Sequence, residues 1–61
     1  MKYSELERKL LEAGCRVDHE GARHRIWYSP ITGETFPVGR HKNDDVKPGT
    51  LNSICKAAGL K

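Results

Sequence analysis

The hydrophobic period of this chain changes twice, and that change limits the possible folds more than any other feature. Leu6, Leu10 and Ala13 recur at i, i+4 and i+7 with Leu11 beside them, which lays one apolar stripe along a helix. Ser4 and Glu7 have the spacing of a capping box, in which serine and glutamate satisfy each other's unpaired backbone N–H groups. Glu5 and Glu7 precede Arg8 and Lys9, the sense favoured by the helix dipole, and Gly14 supplies a left-handed stop. Beyond Gly14 the period becomes two. Cys15, Val17 and His19 alternate with Arg16, Asp18 and Glu20, which predicts a half-buried strand with His19 on the Cys15/Val17 face. Gly21-Ala22 is a turn, and residues 23–29 form a second strand rich in β-formers (Ile26, Trp27, Tyr28). Pro30-Ile31-Thr32-Gly33 carries hairpin-loop residues, and residues 34–38 make a short third strand. Pro37 has no N–H to donate, so that strand belongs at an edge. Residues 39–45 are a polar loop. The helical period then returns: Leu51, Ile54, Cys55 and Ala58 form one stripe, Pro48 suits the first turn, Gly59 ends the helix and Leu60 folds back.

The order is therefore α-β-β-β-α, an α+β chain. One apolar stripe per helix and one apolar sheet face predict a two-layer sandwich with both helices on one side of a three-stranded antiparallel sheet. The far face is left open, as in a double-stranded-RNA-binding domain. Sixty-one residues allow a single domain, spanning residues 1–61, and a core of marginal size. Cys15 and Cys55 are expected as free thiols, and no Cys/His quartet suggests zinc. The charged start, Lys2 and Glu5, does not suit a signal peptide, and no apolar run reaches membrane-spanning length, so the expected location is the cytoplasm. A net charge of +3 permits nucleic-acid binding without requiring it.

Histidine is the side chain whose ordinary titration range suits proton transfer near neutral pH, which draws attention to His19, His24 and His41. His24 opens the central strand just after a glycine turn, at the sheet rim, with Arg23 and Arg25 on either side. His41 lies in the basic run Gly39-Arg40-His41-Lys42, which is suited to phosphate through its charge and exposed N–H groups. Trp27 and Tyr28 must face opposite ways, one into the core and one outward, where an aromatic ring can stack on a base. Periodicity does not decide between them. Asp44-Asp45 reads as favourable charge near the start of the last helix. No Ser-His-Asp set, P-loop, HExxH or paired-carboxylate spacing is present.

Two segments resemble a known family. Gly21-Ala22-Arg23-His24 followed by Ile26-Trp27-Tyr28 is similar to the glycine-histidine-aromatic strand of HicA toxins. Lys47-Pro48-Gly49-Thr50-Leu51-Asn52-Ser53-Ile54, ending in Lys56-Ala57-Ala58-Gly59-Leu60, resembles that family's carboxy-terminal helix, and the Gly14-Cys15 stop also fits. The chain departs from the family pattern in having Ala22 for the usual serine and Arg23 for a second histidine. It also has Val38-Gly39-Arg40 between Pro37 and His41, where the family often has Pro-x-His. The resemblance implies a toxin that cleaves mRNA without a metal or other cofactor and is neutralised by a HicB-like antitoxin that carries the DNA-binding segment. It makes His24 the catalytic residue. The basic side chains Arg23, Arg25, Arg40 and Lys42 are then the candidates for binding RNA, together with His41, which is also the candidate leaving-group acid. The non-catalytic alternative is an RNA-binding module of the same fold.

Overall fold

A computed structural model describes residues 1–60. The elements follow the expected order: α1 (Tyr3–Glu12), β1 (Arg16–Glu20), β2 (Arg25–Tyr28), β3 (Thr35–Val38) and α2 (Pro48–Ala58). The strands form one antiparallel sheet with β2 in the middle. Leu6 and Leu10 of α1, Ile54 and Ala58 of α2, and Trp27, Phe36 and Val38 of the sheet share one buried cluster with Cys15 and Val46. Both helices therefore lie on the same sheet face. Cys15 and Cys55 are free thiols. Among the described residues no helix is long and apolar enough to cross a membrane.

Strand register sorts the side chains between the two faces. Val17, Trp27 and Phe36 sit side by side, as do Glu20, Arg25 and Val38, and both rows face the helices. Arg16, Tyr28 and Thr35 form one row of the open face, and His19, Ile26 and Pro37 form the other. Trp27 thus takes the core position and is fully buried, while Tyr28 faces outward with the Arg16 guanidinium 5.4 Å above its ring centroid. That distance is within cation–π range.

Three expectations need correction. The capping box is not Ser4/Glu7: Lys2 is the N-cap, and its backbone N–H donates to Glu5 Oε1 at 3.4 Å. The N–H groups of Tyr3 and Ser4 donate to the carbonyls of Asp44 and Lys42, so the polar loop caps α1 and the serine oxygen has no such role. Asp45 pairs with Lys2 at 3.3 Å, which ties that member of the acidic doublet to the start of α1. Second, β1 is exposed along its whole length, because it is an edge strand that the helices leave uncovered. Only Cys15, just before it, is buried.

Third, His19 is not on the Val17 face. Val17 pairs with Trp27 and His19 with Ile26, so Asp18 is an extra residue in β1. Such a bulge breaks the two-residue alternation, and every side chain beyond it changes face.

The far end of β2 is built differently. The buried Ser29 hydroxyl donates to the Ala58 carbonyl at 2.7 Å, and the Thr32 hydroxyl donates to the Ala57 carbonyl. The turn between β2 and β3 thereby satisfies carbonyls that the end of α2 leaves free. Gly59 adopts φ +79°, and the Leu60 N–H returns to the Cys55 carbonyl at 2.8 Å, as the sequence predicts. A Cβ on Gly59 would come within 2.7 Å of Ile31 Cγ2, so space and conformation both require glycine there.

Candidate active-site rim

His24 is exposed and lies in the bend of residues 22–24, one residue before β2 begins, and not in the strand itself. Its carbonyl accepts the Gly21 N–H at 2.9 Å, which closes the β1–β2 hairpin. A Cβ on Gly21 would stand 2.7 Å from that carbonyl oxygen, so the close backbone approach admits only glycine. The glycine-histidine spacing therefore has a local cause: the first residue makes room for the second's backbone.

Glu20 organises the charge around this hairpin. Its Oε2 accepts Arg25 Nε at 2.9 Å, and its Oε1 lies 3.3 Å from Arg40 Nη2. Arg25 also reaches Glu7 of α1 at 3.9 Å, as its position on the helix face requires. Arg40 also donates a hydrogen bond to the Gly21 carbonyl. One carboxylate thus joins β1, β2 and the segment after β3, and Arg40 fastens that segment to the turn bearing His24. The sequence alone suggests both arginines as ligands for phosphate and does not single out Glu20. The pairing joins residues 20, 25 and 40, and only the folded sheet brings these together.

Arg23, His41 and Lys42 are exposed and make no side-chain ion pair or hydrogen bond among the described residues. Arg25 pairs with Val38 across β2 and β3, so the chain leaves β3 toward Gly39, Arg40 and His41 at the same rim that His24 occupies. Gly39 lets the Tyr3 ring approach: a Cβ there would be 3.0 Å from Tyr3 Cζ. The structure thus brings His24, Arg23, Arg25 and Arg40 to one rim, with His41 and Lys42 in the adjoining loop. His19 belongs to the same surface. Its Nδ1 lies 2.7 Å from Asp18 Oδ2, and both side chains are about half exposed or more. No three His, Cys, Asp or Glu side chains gather in a metal-holding cluster among the described residues.

These features define a small basic α+β domain whose open sheet face and polar rim carry its chemistry-bearing side chains. Residues 3–60 match the family model described as the HicA toxin of bacterial toxin–antitoxin systems, and the chain belongs to that family. It is therefore a toxin of the toxin–antitoxin kind, with an antitoxin as its counterpart. Neither the curated proteins nor the solved structures give a match.

Proposed function

We propose that the protein is a metal-independent endoribonuclease that cleaves mRNA, with His24 as the general base. The observation that carries this reading is the exposed position of His24 on a glycine-closed turn, at the rim where the basic side chains converge, in a chain that belongs to a toxin family. His24 removes the proton of a ribose 2′-hydroxyl, and the 2′-oxygen attacks the adjacent phosphorus. The bond from phosphorus to the 5′-oxygen breaks, leaving a 2′,3′-cyclic phosphate and a 5′-hydroxyl. The nucleophile is already part of the substrate, so the attack is intramolecular and needs alignment and a base, while an acid supplies the proton that the departing 5′-oxygen takes up.

Charge on the phosphorane is met by cations. Arg23 and Lys42 are free to approach it, and His41 extends the same loop. Arg25 and Arg40 contribute field while holding the hairpin through Glu20, and an arginine fork with five N–H donors keeps some of them for phosphate after such pairing. A HicB-like antitoxin neutralises the toxin by covering this rim, and DNA is reached only through that partner.

The test uses purified protein and a single-stranded RNA. Cleavage by the parent with cyclic-phosphate ends, unchanged in EDTA, and loss of about 10²–10⁴-fold in His24→Ala are expected. Cleavage by His24→Ala at the parental rate overturns the assignment. RNA binding that falls steeply with salt, with no turnover by the parent, makes the protein a binding module instead.

A further inference from the structure

The proposed reaction needs an acid to protonate the departing 5′-oxygen, and the sequence points only to His41 for that task. The geometry points to a different group: we propose that His19, oriented by Asp18, is the leaving-group acid of the cleavage, paired with His24 across the β1–β2 hairpin. This inference rests on the reading of His24 as the base.

Three observations carry it. His19 pairs with Ile26 and Glu20 with Arg25, and just past this last pair the Gly21 N–H bonds to the His24 carbonyl, so backbone pairing reaches the bend. His24, in the bend just before β2 and opposite Gly21, therefore stands diagonally across the hairpin from His19, a relation that in a regular ladder puts Cα atoms roughly 7–8 Å apart. Each catalytic group must come within about 2.6–3.2 Å of its own oxygen. Side chains at a diagonal spacing are within reach of a common group, so two imidazoles there can flank one phosphodiester, one at the 2′-oxygen and one at the 5′-oxygen.

Next, the bulge at Asp18 is what puts His19 there. Without the extra residue, alternation would aim His19 toward the helices beside Val17. With it, the ring stands on the open face next to Ile26. Bulges recur beside active sites because they re-aim a side chain in this way.

Finally, Asp18 Oδ2 lies 2.7 Å from His19 Nδ1. The carboxylate accepts Nδ1–H and so fixes the orientation of the ring; in its imidazolium form the ring carries a second proton on Nε2, which faces the substrate. His19 Nε2 then gives its proton to the 5′-oxygen as the P–O bond breaks, while His24 holds the proton taken from the 2′-hydroxyl. A proton exchange with water returns both to their starting forms. Asp18 acts through His19 and is a positioning residue.

A substrate with a sulfur in place of the bridging 5′-oxygen separates acid from base, because a thiolate leaves without protonation. His19→Ala is expected to cut ordinary single-stranded RNA about 10²–10⁴-fold more slowly than the parent, yet to cut the 5′-thio RNA within tenfold of it. Asp18→Asn should show the same pattern at smaller amplitude, whereas His24→Ala should be slow on both substrates. His19 and Asp18 are exposed on an edge strand, so unchanged circular dichroism is expected for these variants. Parental cleavage of ordinary RNA by His19→Ala, or an equal loss on both substrates, overturns the proposal. So does thio rescue in His41→Ala with none in His19→Ala. Parental cleavage by His24→Ala sinks the base assignment instead, which keeps the two failures apart.

Discussion

The two ends of β2 are made of different materials. At its start, Arg25 is tied by ion pairs to the exposed Glu20 and the more covered Glu7, and the His24 turn is closed by a backbone hydrogen bond. At its end, Tyr28 leads into Ser29, whose side chain is fully buried and bonded to the last carbonyl of α2. The chemistry sits where contacts are solvated and individually weak. Stability sits four or five residues away, where polar groups are dry and apolar surface is closed off. Exposed ion pairs are worth about 0–1 kcal/mol, while a buried group left without its partner costs about 1–3 kcal/mol. One strand can therefore carry variable chemistry at one end because the other end secures the fold.

Substitutions sharpen this contrast in order of expected size. His24→Ala should lower RNA cleavage by about 10²–10⁴-fold and leave the thermal midpoint near that of the parent, as read by gel cleavage and calorimetry together. A large drop in midpoint would break the separation of the two ends. Trp27→Ala, at the middle of the strand, should cost about 3–5 kcal/mol in urea unfolding, since a fully buried ring leaves a cavity. Ser29→Ala should cost about 1–3 kcal/mol by the same measurement because it leaves the Ala58 carbonyl buried without a donor. A neutral Ser29→Ala would mean that water reaches that carbonyl. Glu20→Gln should be the mildest for stability, below about 1 kcal/mol, because its side chain is more than half exposed. Cleavage should nonetheless fall in Glu20→Gln by more free energy than stability does, since Arg25 and Arg40 lose their common anchor. Equal losses in both measurements would make Glu20 merely structural.

Much of the architecture was legible because it rests on local patterns. The period of Leu6, Leu10 and Ala13 marked α1, Gly59 and Leu60 marked the end of α2, and Pro37 marked an edge strand. What could not be read depends on residues distant in sequence or on a count of one. The cap of α1 comes from carbonyls some forty residues downstream, so Ser4 and Glu7 gave a misleading local signal. Asp18 carries no compositional mark of a bulge, and missing it placed His19 on the wrong face. The choice between Trp27 and Tyr28 needed the register, which puts Trp27 between Val17 and Phe36. At the rim, His24 stood out through its glycine turn and its resemblance to a family motif. Glu20 did not, because a lone glutamate on an exposed strand looks like ordinary surface until Arg25 and Arg40 fold onto it.

Trp27 has a further use that follows from its position. It is the only tryptophan in the chain, it is enclosed by the core, and its indole N–H finds no acceptor among the described residues. Its fluorescence should therefore emit toward the blue in the folded protein and move to the red on unfolding. The signal comes from one site, three residues along the strand from His24. The molecule thus carries its own optical gauge of integrity, needing no label, with which every variant at the rim can be checked in the same cuvette as its RNA.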